Sequence, residues 1–149
     1  SLRLIPENAT ATPEGLAAIA SAGWITFGPG SWFSSVLPHF LIKQQIEAIM
    51  SSKAKKLVIL NLDAAPSMRG DEFAGSSPAE HLSILQKFAP NFNCDIALAD
   101  ISVVLDKGSM AAAVSAIGGE LVVADIASVG SVHHDPRKLG PVISHIFAR

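Results

Sequence analysis

The sequence contains a single cysteine, Cys94, among 149 residues. One thiol excludes an intramolecular disulfide and any cysteine-based zinc cluster. Charge is scarce as well. Asp, Glu, Lys and Arg make up 16% of the chain, against about 25% in an average domain. Nor is there a basic excess: 11 Lys and Arg face 13 Asp and Glu, for a net charge of −2. Nothing therefore draws in a phosphate backbone, and a nucleic-acid partner is disfavoured. No apolar run approaches the roughly 18–20 residues that a membrane span needs. No charged segment followed by an apolar one opens the chain, so a secretory signal is not visible. These absences point to a cytoplasmic protein with no membrane span.

What is present suits a compact fold. Hydrophobic residues are 49% of the chain, which is too many for disorder. At this length roughly 68–70% of the unfolded chain's surface can be buried. A single domain over residues 1–149 is expected. The chain opens on Ser1, not Met, and reads as a piece of a longer protein. Its low charge fits a piece that packs against a missing half or a second copy.

Helix and strand signals alternate. Thr12-Pro13-Glu14 starts a helix with a capping hydroxyl, an early proline and an acid at the positive end of the dipole. Gly23 stops it. Trp24–Phe27 is a short buried strand, and Gly28-Pro29-Gly30-Ser31 a tight loop after it. A long helix is predicted from about Trp32 to Ser51, bent or restarted at Pro38. Lys56–Leu62 is the clearest strand. A long polar stretch, 63–76, follows. Ser77-Pro78-Ala79-Glu80 is a capping box opening a helix to about Phe88. Ile96–Leu105 contains a strand pattern interrupted by Asp100, Gly108–Ile117 is helical, and Glu120–Ala124 is a strand. Asp135-Pro136 starts a last helix with Leu139, Val142, Ile143, Ile146 and Phe147 on its apolar face. The strands are near-continuous apolar runs, the mark of a parallel sheet covered on both faces. The fold class is α/β, a Rossmann-like three-layer sandwich with a mostly parallel sheet and helices on both faces.

In such sheets ligands bind beyond the carboxyl ends of the strands. Three segments fall there: Gly28–Ser31, Asn61–Ser76 and Asp125–Asp135. The glycines of the first let backbone approach a ligand closely, and the N–H groups of a following helix suit phosphate. Ser31, Ser34 and Ser35 add hydroxyls. The spacing is neither G-x-G-x-x-G nor a P-loop, and by its mechanics alone an ordinary strand-to-helix turn capped by Ser31 is the favoured reading, since most such loops are simply connections. Asn61 either points its amide into the crevice or caps a turn. Asp63, Arg69, Asp71 and Glu72 form either a metal–phosphate cluster or a solvated loop. His133-His134-Asp135 offers two imidazoles and a carboxylate, although adjacent histidines cannot easily face one ion and Asp135 suits a helix cap. His39 lies within a turn or two of the loop. His81 is expected on a solvated helix position, and Cys94 in the core.

Gly28-Pro29-Gly30-Ser31-Trp32-Phe33-Ser34-Ser35-Val36-Leu37-Pro38-His39 resembles a motif of the YvcK-type gluconeogenesis factor family, within the CofD-like superfamily. Lys53-Ala54-Lys55-Lys56 with Asn61-Leu62, Glu80-His81-Leu82, and His134-Asp135-Pro136-Arg137-Lys138-Leu139 match three further family motifs in order. The resemblance implies a Rossmann-like fold, a homodimer and binding of a nucleotide-sugar, UDP-N-acetylglucosamine, with effects on carbon metabolism, cell-wall synthesis and cell shape. No cofactor or metal is implied. The related CofD enzymes transfer a phospholactyl group. The family's Gly-rich G-G-G-T-G loop has no counterpart, so the chain resembles the C-terminal half of such a protein.

This sequence departs from the pattern in places. His39 replaces an Asn, Pro66–Glu72 replaces P-G-E-T, and His133 replaces an Arg. There is no Tyr to stack from the late helix. The resemblance implies site residues Gly28, Pro29, Gly30, Ser31, Ser34, Ser35, His39, Asn61, His134 and Asp135. Backbone N–H groups of Gly30 and Ser31 would face the diphosphate, and the Ser34 and Ser35 hydroxyls would add contacts. Asn61 would fix a ligand edge, and His134 with Asp135 would close the far side. Gly30→Val is expected to abolish binding and leave the fold intact. The reading is a regulator with no chemistry. A CofD-like transferase and a half serving only dimerisation are the alternatives.

Overall fold

A computed structural model describes residues 2–62 and 78–149. Asp63, Arg69, Asp71, Glu72 and the capping Ser77 lie outside the described residues. Four strands form one all-parallel sheet in the order β1-β2-β3-β4: β1 Trp24–Phe27, β2 Lys55–Ile59, β3 Ile96–Asp100 and β4 Glu120–Ala124. The helices are α1 Pro13–Ser21, α2 Lys43–Ser51, α3 Pro78–Phe88, α4 Lys107–Ala116 and α5 Pro136–Phe147. Each strand is followed in sequence by helical structure, as a parallel sheet demands.

The sheet separates two apolar layers. On one face, Phe27, Val58, Leu60, Ala97 and Ala99 pack with Ile49 of α2, Leu82 and Leu85 of α3, and Met110 and Val114 of α4. On the other, Leu57, Ile59, Ile96 and Leu98 pack with α5 through Leu139, Val142, Ile143 and Ile146. Phe147 instead stacks on Trp24, with ring centroids 5.1 Å apart. The three-layer α/β arrangement with helices on both faces is thus what the sequence predicts. β3 is buried at every residue because it is central and covered twice. Cys94 is a core residue, and burial, helped by the Asp95 carboxylate, pushes its thiol up to about 12. Among the described residues no helix is long and apolar enough to cross a membrane.

One expectation holds only in part and one fails, both for local reasons. The predicted helix from Trp32 to Ser51 is three pieces. A π-helical turn, Trp32–Val36, closes with the Leu37 N–H donating to the Trp32 carbonyl. A 3-10 turn, Leu37–Phe40, carries Pro38 in its first turn, and the chain becomes extended at Ile42 before α2 begins. Proline has no N–H to continue the helical ladder, so the pattern restarts. His81 is not solvated. It is buried with Pro78, Leu82 and Leu85 on the inner face of α3, its ring 5.4 Å from that of Trp32. The i, i+3, i+4, i+7 spacing of those four residues puts them on one stripe.

Candidate functional site

The carboxyl edge of the sheet gathers the ends of all four strands. At the end of β1, Gly28 has φ +80° and Gly30 φ +145°, and the Gly28–Pro29 peptide is cis. A Cβ on Gly28 would lie 2.7 Å from the Ile59 carbonyl oxygen at the end of β2. The loop therefore lies directly against the neighbouring strand. Asn61 holds it there. Its Nδ2 donates to the Gly30 carbonyl at 2.9 Å, and its Oδ1 accepts from the Gly30 N–H at 3.2 Å. Ser31 caps the π-helical turn through a long 3.4 Å bond from the Ser34 N–H. The side chains of Ser34 and Ser35 are exposed beside it.

This geometry corrects three roles. The Gly30 N–H does not face outward for a diphosphate, because Asn61 engages it. Asn61 positions the loop, where a contact to a ligand edge was expected. The helix after the loop is a five-residue turn, too short to sum the aligned peptide dipoles that a long helix would offer a phosphate. Gly30→Val would also disturb the fold. Its φ is one that L side chains rarely adopt, and a Cβ would meet Ser35 Cβ at 3.2 Å. His39 is exposed and its Nδ1 pairs with Gln45 Nε2 at 2.8 Å, toward α2.

Across the edge, Asp100 ends β3 and is 1% exposed. In the sequence it reads as an interruption of an apolar strand. In the fold it is a tether. It accepts from the Ser102 N–H at 2.8 Å and the Ser102 hydroxyl at 2.5 Å. It also accepts from the N–H groups of Ile126 and Ala127, at 2.7 and 2.8 Å. Burial alone would raise its pKa, but these four donors outweigh burial and hold it below the usual carboxylate value. A carboxylate that closes an otherwise apolar strand is the one signal in the sequence that could have marked it.

The segment after β4 doubles back on itself. Ala127 bridges His134, the Ser128 N–H donates to the His133 carbonyl at 2.9 Å, and the Asp135 N–H to the Ile126 carbonyl at 2.8 Å. Lys138 Nζ reaches Asp125 at 2.7 Å and the Ala127 carbonyl at 2.9 Å. His134 is half-buried, and its Nε2 is shielded without a hydrogen-bond partner among the described residues. Burial lowers its pKa, and the opposing pulls of the Leu60 carbonyl and the Asp100 carboxylate do not restore it. Asp135 caps α5 through the Arg137 N–H at 2.9 Å and pairs with the Arg137 guanidinium. That pairing holds its carboxyl below the usual range. Asp135 is thus taken up by Arg137, and it does not pair with His134. Among the described residues no three His, Cys, Asp or Glu side chains gather as a metal site.

Between the ends of β3 and β4 lies a cleft of about 650 Å³, with Leu62, Asp100, Ser102, Leu105, Ser128 and Lys138 in its walls. None of the ten site residues expected from the sequence lines it. It meets them at Leu62, which directly follows Asn61 in the chain, and at Ala127, which bridges His134.

Comparison with known proteins decides the family. The model for 2-phospho-L-lactate transferase CofD matches residues 1–134. The chain belongs to the CofD family. Curated relatives carry the name "Putative gluconeogenesis factor", the family whose motifs the sequence resembles. A Mycobacterium tuberculosis protein named "Putative gluconeogenesis factor" is 34% identical over 151 residues, covering 99% of this CofD-family chain and 43% of the relative. The Mycobacterium leprae protein of that name is 32% identical over 148 residues, covering 97% and 40%. Each relative is more than twice as long as the part it shares with this chain. A crystal structure of a Bacillus halodurans protein of the UPF0052 family superposes with a TM-score of 0.72 at 24% identity, covering 95% of this chain and 49% of that one. At that identity the likeness concerns the fold.

Proposed function

We propose that this CofD-family chain forms one half of the binding site of a nucleotide-sugar-responsive regulator of carbon metabolism, cell-wall synthesis and cell shape, with UDP-N-acetylglucosamine as ligand. The observation that carries the reading is the clasp between Asn61 and Gly30. It holds a Gly-Pro-Gly loop at the carboxyl edge of a parallel sheet, where such sheets bind ligands. The exposed Ser34 and Ser35 hydroxyls stand ready for phosphate oxygens. Membership of the family and the names of the curated relatives support the same reading. The remaining contacts, including a Gly-rich phosphate loop, come from the part of the relatives that this chain does not match. The working protein is a cytoplasmic homodimer.

A second reading, a phospholactyl-type transferase, draws on the enzyme for which the family model is named. The state of Asp100 favours the regulator. Its carboxylate is engaged by four donors and is not free to act as a base. Calorimetric titration of UDP-N-acetylglucosamine into the full natural chain and into this segment tests the proposal. Binding by the full chain is the expected result. A folded full chain that takes up no nucleotide-sugar overturns it, and transferase substrates are then the next ligands to titrate.

A further inference from the structure

We propose that His81 is a positioning residue for the ligand loop: through its ring contact with Trp32 it holds the turn that presents the Ser34 and Ser35 hydroxyls. The inference rests on the nucleotide-sugar reading and adds what sets the shape of the site. Trp32 and Val36 are the buried ends of the π-helical turn, and Ser34 and Ser35 are exposed between them. Single π-helical turns are rare and concentrate at functional sites. One isolated turn is too short to hold itself together. Its Ser31 cap bond is also long, at 3.4 Å. The shape of the turn therefore depends on where its buried side chains are anchored.

Trp32 is anchored on α3. Trp32 is 3% exposed and His81 4%. Their ring centroids lie 5.4 Å apart with an interplanar angle of 33°, within the range of attractive ring pairs. His81 shares its stripe of α3 with Pro78, Leu82 and Leu85. An aliphatic residue would fill that stripe as well, but only a flat ring offers a flat indole a matching face. The clasp of Asn61 on Gly30 is the second anchor. Gly30 and Trp32 flank Ser31, so β2 and α3 grip the chain on either side of that one residue. Gly30 also lies close to Ser35, since a Cβ built on the glycine would stand 3.2 Å from the Ser35 Cβ. A shift of Trp32 therefore carries Ser34 and Ser35 away from the clasped glycine. Hydroxyls held in place before the ligand arrives bind it more tightly than hydroxyls that must be ordered by it.

The test uses the full natural chain with UDP-N-acetylglucosamine as titrant. Fluorotryptophan labelling adds a spectroscopic readout, with the Trp32 resonance identified by its loss in Trp32→Phe. His81→Leu keeps bulk on the stripe and removes the flat ring. His81→Phe keeps the flat ring and removes the imidazole. Leu85→Ala takes packing from the same stripe and leaves the ring pair in place, so it reports what lost stability alone does. Each affinity is measured at a temperature where the variant is folded. His81→Leu should weaken binding about fivefold, while His81→Phe and Leu85→Ala should stay within about twofold of wild type. Saturating ligand should move the Trp32 resonance in wild type and in His81→Phe. Four outcomes overturn the positioning role: wild-type affinity in folded His81→Leu, no rescue by His81→Phe, equal weakening in Leu85→Ala, or a Trp32 resonance that the ligand leaves in place. The last does not depend on any His81 variant folding. Failure of the wild-type chain to bind the nucleotide-sugar overturns the nucleotide-sugar reading and this inference with it.

Discussion

The carboxamide of Asn61 holds Gly30 from both sides, donating to its carbonyl at 2.9 Å and accepting from its N–H at 3.2 Å. One side chain at the end of β2 thereby fixes the loop at the end of β1. A pair of net hydrogen bonds in a part-buried place is worth about 1–3 kcal/mol. Asn61→Ala is expected to lose that much stability in denaturant unfolding and to weaken nucleotide-sugar binding. Asn61→Asp keeps the acceptor, loses the donor and brings a negative charge toward the phosphates. Its loss of affinity should therefore exceed that of Asn61→Ala. Equal affinity in all three proteins would show that the clasp has no part in binding.

Gly28 combines φ +80° with a backbone neighbour 2.7 Å from where a Cβ would stand. The neighbour is the Ile59 carbonyl, which cannot swing aside as a flexible side chain could. Strain of this kind costs about 1–3 kcal/mol. Gly28→Ala should lower the free energy of unfolding by that amount, while Gly140→Ala, at a site with open space around it, should not. A Gly28→Ala protein as stable as wild type would mean that the loop lies elsewhere in solution.

Asp100 binds its donors as a carboxylate, and its folded pKa lies below the ordinary value of 3.8. Such a group contributes stability above the unfolded pKa and loses it as pH falls through the folded one. Asp100→Asn turns one acceptor oxygen into a donor facing donors. The expected loss is about 1–3 kcal/mol at neutral pH. The variant should also lose less stability than wild type when the pH is taken below about 4. Parallel acid limbs in the two proteins would contradict this account.

His134 has its folded pKa below the ordinary 6.5 because burial penalises the imidazolium. The unfolded chain takes up a proton near that ordinary value, and the folded chain takes it up only at lower pH. Stability is therefore full above about pH 6.5 and falls as the pH drops below it. Urea unfolding between pH 7.5 and 5 should show this slope, and His134→Gln should reduce it. Chemical-shift titration of the His134 ring should give a midpoint below the ordinary 6.5. A His134 midpoint at or above 6.5 would refute the burial argument.

Much of the architecture is legible along the chain. The capping signals Thr12-Pro13, Asp135-Pro136 and the apolar runs Trp24–Phe27 and Glu120–Ala124 fall where helices and strands begin and end. These are local effects: a side-chain oxygen facing free N–H groups, or a residue type matched to a covered strand. The break after Trp32 was half legible, since Pro38 announces a restart but not the extended residue at Ile42. The burial of His81 was not, because the polarity of a lone imidazole says nothing about which stripe of α3 meets Trp32.

The sequence by itself determined the parallel α/β class and the family, and it singled out the carboxyl edge of the sheet. Periodicity, caps and motifs act over a few residues, and their order along the chain restricts the topology. Only the tertiary structure decided what the polar residues at that edge do. Asn61 and Gly30 are 31 positions apart, and Asp100 and Ile126 are 26 apart. Such pairs meet because strand order and register bring them together. Whether an amide or a carboxylate clasps a loop, tethers a segment or faces a ligand depends on the donors that arrive from elsewhere in the chain.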